Sequence, residues 1–415
     1  MKDECDSESL LNELNKAERW NTFLESKKDK RYIPETIINR FNKFITESKY
    51  ERISAEISDG TYDFSIPKKK QINKTKVGKK RDVYMYNKNE TMVLKMVAYL
   101  LHIHDDLFAP NLYSFRTDTG VKKAIYDIMR IRELNKMHGY KVDIKNYFNS
   151  VNAEKLLVNL EEEFKDDKRL YELFHRTLSN PLVDSHGELI EEQKGIMAGV
   201  PTSAFLANFY LNEMDWYFYD NGIIYFRYAD DILVFSSTKE ELESHKTKIG
   251  SFLAEKDLAI NTSKEFFYEP HEKFEFLGFS IDDKTIDLSE NTIRKIKAKI
   301  KRASRSIRRW GAKKNASGDA CLKTMINKFD KKFFGKEENE LSWKYWFFPT
   351  INTIESLKEV DNYMQERLRY VVTGRYSKKN YEEVPYERLK NCGYRPLVHE
   401  YYAENDISKI PIKES

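Results

Sequence analysis

The chain has 415 residues, 71 Lys and Arg against 67 Asp and Glu, and 40% hydrophobic residues. That is enough apolar sequence for two or three domains of about 100–200 residues. A net charge of only +4 excludes a molecule that is basic over its whole surface. Three distant cysteines, Cys5, Cys321 and Cys392, make neither a CxxC pair nor a disulfide framework, and the eight histidines lack zinc spacing. The N-terminus is acidic and polar, and no stretch approaches the roughly 20 apolar residues of a membrane span. The expectation is a soluble cytoplasmic protein with no membrane partner.

Residues 1–60 read as helices, with Leu10, Leu11, Leu14 and Ala17, then Ile37, Ile38, Phe41, Phe44 and Ile45, at helical spacing. A basic strip follows: Lys68, Lys69, Lys70, Lys74, Lys76, Lys79, Lys80 and Arg81 around Gly78. It runs into a short strand at 83–86, so the pattern is strand, basic glycine turn, strand. Residues 91–107 return to helical spacing. Residues 140–144 read as a strand, followed by a helical region, a glycine-rich segment at 195–199 and an apolar helix through Leu211. A hairpin at 223–235 and a strand-like stretch at 274–281 close this part. Interleaved strands and helices with hairpins predict an α+β fold.

Residues 291–314 read NTIRKIKAKIKRASRSIRRWGAKK. Ile293, Ile296, Ile300, Ala303, Ile307 and Trp310 recur in steps of three and four, which is one face of a helix. The same 24 residues hold eleven Lys or Arg and no acid. A solvated helix face is the ordinary fate of a charge run, but such a face mixes signs. The reading here is contact with a nucleic-acid backbone through Arg302, Arg305 and Arg309. Residues 311–319 are expected to be a flexible connection.

The hairpin is FRYADDILVF, from Phe226 to Phe235, with Asp230 and Asp231 at its bend. Like charges at a tight turn repel. A fold accepts them where the turn is fully solvated or where a cation neutralises them. Mg2+ takes about six oxygen ligands, so two ions need more than this pair. Asp143 ends a strand in VDIKNYFNSV and is the candidate third carboxylate of a two-metal site.

Taken in order, these segments resemble a reverse transcriptase. Tyr228-Ala229-Asp230-Asp231 is similar to the family's catalytic hairpin, and Asp143 to Phe148 to its first aspartate motif. Gly195 to Ser203, running into Phe205-Leu206-Ala207-Asn208, resembles the template and nucleotide motif. Leu258 to Asn261 with Lys264, Phe276 to Phe279, and the segments Gly78 to Arg81 and Tyr113 to Arg116 resemble the lysine, primer-grip and finger motifs. The resemblance covers about residues 60–300. It implies a right-hand polymerase with an N-terminal helical extension (1–60), fingers (61–140), palm (141–285), basic helical thumb (286–370) and C-terminal tail (371–415).

The resemblance also implies roles. Asp143, Ile144, Asp230 and Asp231 would be metal ligands for two Mg2+, with Mn2+ as a substitute. Lys264 would give a proton to pyrophosphate, although a plain surface lysine answers the same position. Lys74, Arg81, Arg116, Phe148, Ala198 and Gly199 would surround the nucleotide, with Phe148 excluding a 2′-hydroxyl unless it is an ordinary core aromatic. Phe276, Leu277 and Gly278 would grip the primer. The partners would be dNTPs, an RNA template and the DNA product; a homo-oligomer is left open. The family often has Pro-Gln-Gly where this chain has Met197-Ala198-Gly199, so nucleotide or template handling is expected to differ. GIMAGVPTS and residues 389–402 resemble bacterial defence-associated reverse transcriptases, which implies a structured noncoding RNA template and antiphage defence. Three alternatives stay open: a template-independent or protein-primed DNA polymerase, a retron or intron-type enzyme, and a non-enzymatic RNA-binding scaffold.

Overall fold

The computed structural model describes residues 9–29, 33–73, 80–335 and 342–405. The expected contribution of Lys74 lies outside them. The chain divides into two compact units: the first ends at His271, and the second takes the chain from Glu272 together with the short segment Arg31–Pro34. That division falls inside the span 141–285 assigned above to a palm.

Unit one opens with the helices Ala17–Lys28, Glu35–Thr46 and Glu51–Ser58. Strands β1 (Lys68–Asn73) and β2 (Lys80–Met85) follow, then helix Lys88–Leu100. Asn87 caps that helix reciprocally with Glu90, satisfying otherwise orphaned N–H groups. Next come β3 (His138–Asp143), the hairpin β4 (Leu182–Ser185) and β5 (Glu188–Glu191), and helices Ser203–Tyr210 and Asn212–Asp220. The unit finishes with β6 (Ile224–Tyr228), β7 (Asp231–Ser236), helix Lys239–Glu255 and β8 (Phe266–Tyr268).

Two sheets result, in the orders β2-β1-β4-β5 and β6-β7-β3-β8. The second is antiparallel throughout. Its two inner strands are β-branched and aromatic: Tyr140, Val142, Ile232, Leu233 and Val234 are fully buried. Helix Lys239–Glu255 packs on β3 and β7, and helix Asn212–Asp220 packs on β6. The carboxylate-bearing ends of β3 and β7 therefore sit on a rigid, two-layer base. The β4–β5 hairpin had no counterpart in the sequence reading, because β5 is four exposed residues without alternation.

Unit two carries the sheet β11-β10-β9, with β9 (Phe274–Phe276), β10 (Phe279–Asp282) and β11 (Thr285–Leu288). The stretch at 274–281 is thus a hairpin rather than one strand, with Leu277 and Gly278 both at positive φ in the two-residue turn. Ser289 caps helix Glu290–Lys314, which buries Ile296, Ile300, Ala303 and Ile307. It packs against helices Gly318–Phe334 and Glu355–Thr373. The expected flexible connection at 311–319 is instead a tight corner: the first helix runs to Lys314, Asn315 takes the left-handed cap, and the next helix starts at Gly318. No helix among the described residues is long and apolar enough to cross a membrane.

Candidate active site

The register of β3 on β7 sets Asp143 directly opposite Asp231. The Ile144 N–H donates to the Asp230 carbonyl at 3.0 Å, so Asp143 and Asp231 form a non-hydrogen-bonded pair. In such pairs the Cα atoms approach to about 4.5 Å and the side chains lie closest. Asp230 occupies the adjoining bend. Burial, then the charges of Asp231 and Asp143, push its carboxyl up to about 6. Asp143, distant in sequence, and the adjacent pair Asp230 and Asp231 therefore share one corner of the sheet.

A second strand edge completes this corner. The Lys145 N–H donates to the Ala259 carbonyl and the Asn261 N–H to the Asp143 carbonyl, both at 2.8 Å. Asn261 Nδ2 donates to Asp143 Oδ1 at 3.0 Å, and Lys264 Nζ bonds Asp143 Oδ2. Burial opposes the Lys264 charge, but its bond to Asp143 and the three carboxylates hold its pKa above the ordinary value. Among the described residues no three acidic, histidine or cysteine side chains already cage a single point; here the Asp143 carboxylate is engaged by Asn261 and Lys264.

The bend itself is strained. Ala229, the first of its two turn residues, has φ +54, where hairpins normally use glycine. A buried network holds it. Ala229 donates its N–H to Ser114 Oγ at 2.9 Å, and its carbonyl accepts from Arg227 Nη1 at 3.1 Å. Arg227 is bidentate to Asp215, through Nε at 2.7 Å and Nη2 at 2.5 Å, with both side chains fully buried. Tyr225 donates to Asp215 at 3.0 Å, and Asn208 exchanges bonds with Ser114. Burial pushes the Asp215 carboxyl up, while Arg227 and Tyr225 pull it the other way.

The glycine loop abuts the same corner. Gly195 has φ +55, and a Cβ there would lie 2.3 Å from the Phe148 carbonyl; one on Gly199, φ +107, would lie 2.9 Å from the Tyr84 carbonyl. The loop therefore packs main chain to main chain between the segment after β3 and strand β2. Ala198 is buried, its N–H bonded to Asn149 Oδ1 and its carbonyl to the Tyr84 N–H. Asn149 also reaches the Asp82 carbonyl. Exposed Arg81 on β2 stands with its guanidinium 5.8 Å from the Phe148 ring centroid.

Arg116 is tied to its own loop. Its Nη1 bonds the carbonyls of Ala109 and Leu112, and its charge acts on Asp215. One guanidinium nitrogen of this arginine, expected at the nucleotide, closes its own loop. Phe276, Leu277 and Gly278 form the β9–β10 turn of unit two, where the Gly278 carbonyl accepts from Ser289 N–H and Thr292 Oγ1. Arg302, Arg305 and Arg309 are exposed and line one groove with Ser306, Arg308 and Tyr370.

Ser114, Phe115, Asn149, Lys194, Asn208, Asp215, Arg227 and Asn261 were not singled out from sequence. Most lie inside or beside the quoted motifs, and that adjacency was the available signal. Lys194 is a buried amine with no hydrogen-bond partner among the described residues; burial pulls its pKa down to about 8 against the pull of Glu192.

Residues 66–281 match the family described as Reverse transcriptase (RNA-dependent DNA polymerase). The chain is 24% identical over 164 residues to the retron Ec86 reverse transcriptase of Escherichia coli, covering 38% of this chain and 47% of that one. It is 25% identical over 174 residues to a COX1/OXI3 intron 2 protein of Saccharomyces cerevisiae, covering 42% and 20%. The match thus spans about half the length of the first relative and a fifth of the second. Among solved structures, telomerase from Candida tropicalis is similar at TM-score 0.44 and 14% identity over 82% of this chain and 69% of that one. Telomerase from Candida albicans in complex with a telomeric RNA fragment is similar at 0.43 and 12% over 88% and 70%. Neither structural likeness is close enough to bear on function. The carboxylate hairpin on its α+β base, with the match across residues 66–281, supports the right-hand polymerase fold that the motifs led one to expect. The chain belongs to the reverse transcriptase (RNA-dependent DNA polymerase) family.

Proposed function

We propose that the chain is an RNA-directed DNA polymerase that makes DNA from dNTPs in the cytoplasm, copying a structured noncoding RNA in antiphage defence. The observation that carries the chemistry is the pairing of Asp143 with Asp231 beside the Asp230 bend. Asp143, Asp230, Asp231 and the Ile144 carbonyl fit a pair of hard divalent cations, Mg2+ or Mn2+. The donors are all oxygen, and they crowd enough that Asp230 resists ionising. Such ions, completed by nucleotide phosphates, supply activation of the primer 3′-hydroxyl and charge stabilisation of in-line transfer.

The chain's own residues do the rest. Asn261 and Lys264 orient the Asp143 carboxylate, and Lys264 would protonate the departing pyrophosphate. Arg81, with Lys74, would meet the triphosphate. Phe148 would lie beneath the sugar, backed by the Gly195–Gly199 loop. The Phe276–Gly278 turn would grip the primer, and Arg302, Arg305 and Arg309 would follow the nucleic-acid backbone. The defence setting is supported by the resemblance of GIMAGVPTS and residues 389–402 to defence-associated relatives.

A second reading, template-independent or protein-primed synthesis, is favoured by Ala198. Its backbone is fully bonded and its side chain offers the nucleotide no donor. One assay separates the two: extension of a DNA primer on an RNA template with dNTPs and Mg2+, run beside reactions lacking RNA, lacking primer or containing a chelator. Extension that needs RNA, primer and metal supports the first reading; long products without RNA support the second. Sequencing nucleic acid that copurifies with the protein tests the noncoding-RNA assignment.

A further inference from the structure

We propose that Phe115 is a specificity-determining residue, which sets the sugar selectivity of this site by holding the Phe148 ring in place. The proposal rests on the reading of Phe148 as the residue beneath the incoming sugar. Phe115 has φ +57, a region that bulky side chains seldom enter. It is also 41% exposed. Neither backbone preference nor burial accounts for a phenylalanine here. The surroundings force the conformation from both sides. On one side, Ser114 Oγ accepts from Ala229 and donates to Asn208 at 3.0 Å, and the Ser114 carbonyl accepts from Asn208 at 2.8 Å. On the other, Arg116 is bonded to the carbonyls of Ala109 and Leu112. Strain so over-determined is characteristic of functional positions.

What the strained turn achieves is the placement of one ring. Phe115 stands edge-on to Phe148, with centroids 6.2 Å apart at 89°, and tilts toward Tyr228 at 6.3 Å. The Phe148 main chain is fixed independently, because its carbonyl accepts from the Ile196 N–H at 2.9 Å and abuts Gly195. Its ring is bounded by Phe115, by its chain neighbour Tyr147 and by the Arg81 guanidinium. Removing Phe115 leaves the Phe148 Cα where it is and frees the ring to tip away, which widens the space beside the sugar.

The test is single-nucleotide incorporation with a dNTP and its matching ribonucleotide, comparing kcat/KM ratios. Phe115→Ala and Phe115→Asn should lower discrimination roughly tenfold, the scale of a modest change in pocket fit. Phe115→Tyr should retain it, Phe148→Ala should lower it further, and the Phe115→Ala, Phe148→Ala double variant should match Phe148→Ala alone. Asparagine accepts the left-handed backbone, so an unchanged melting temperature for Phe115→Asn shows that the fold is intact. Unchanged discrimination in the Phe115 variants, with Phe148→Ala relaxed, overturns the proposal and spares the reading of Phe148. Unchanged discrimination in Phe148→Ala overturns both.

Discussion

Asp143 and Asp231 face each other across β3 and β7 as a close, non-hydrogen-bonded pair, and the Asp230 carbonyl is bonded to the residue that follows Asp143. This stitching makes the strand end and the bend one rigid unit. It also concentrates negative charge, with a consequence for stability. With its folded pKa raised to about 6, Asp230 binds its proton more tightly folded than unfolded. Its ionisation therefore opposes folding above pH 6, and the penalty disappears as pH falls toward 4. In metal-free protein Asp230→Asn should stabilise by about 1–3 kcal/mol above pH 6, with the gain fading toward pH 4. Urea unfolding in chelator across that range checks it.

The buried pair beneath the bend makes the opposite prediction. Arg227→Met leaves the buried Asp215 carboxylate without its counter-ion and with only the Tyr225 hydroxyl as a side-chain donor, which should cost about 3–5 kcal/mol. The double variant Arg227→Met, Asp215→Leu should recover much of that loss. It should still be impaired in catalysis, because the Ala229 carbonyl is left without its donor. Unfolding free energies and primer-extension rates on the three proteins separate the two effects.

Lys194 should be a net liability to the fold. Its folded pKa is down at about 8, so its charge opposes folding below pH 8, and the protein should gain stability as pH rises from 8 toward 10. Lys194→Met should stabilise at pH 7 by about 2–3 kcal/mol and flatten that rise. Denaturation at pH 7 and pH 10 measures both.

Arg302, Arg305 and Arg309 should act on nucleic acid without regard to sequence. Replacing all three with Ala should weaken binding to unrelated sequences alike. The slope of log affinity against log salt should fall by about 2–3, near 0.7–0.9 for each phosphate no longer neutralised. Filter binding over a salt series reads it; an unchanged slope removes these residues from the interface.

The parts of the fold legible in the sequence are those written in local pattern. The aromatic and β-branched runs on either side of Asp230 and Asp231 mark a hairpin bend, the strand before Asp143 puts that acid at a strand end, and the three-four spacing from Ile296 to Ile307 gives the basic helix its buried face. The supporting network was not legible. Ser114, Asn208, Asp215 and Arg227 are single polar residues whose partners are set by the fold, with no spacing to mark them. Arg116 shows the same limit: beside a finger motif it resembles a phosphate ligand, and only the folded loop reveals that its Nη1 serves the Ala109 and Leu112 carbonyls. The corner at Asn315 was missed because Asn, Ala and Ser look like linker composition, whereas the left-handed asparagine ends one helix and Ser317 starts the next.

On the proposed mechanism, Asp143, Asp230 and Asp231 share divalent cations. Anomalous diffraction from crystals grown with Mn2+, an RNA–DNA primer-template and an incoming dNTP measures this directly. Two peaks are expected about 4 Å apart, within about 2.3 Å of oxygens from Asp143 and Asp230, and none in Asp143→Asn crystals. Manganese bound away from these carboxylates, or left in place when Asp143 is replaced, would contradict that mechanism.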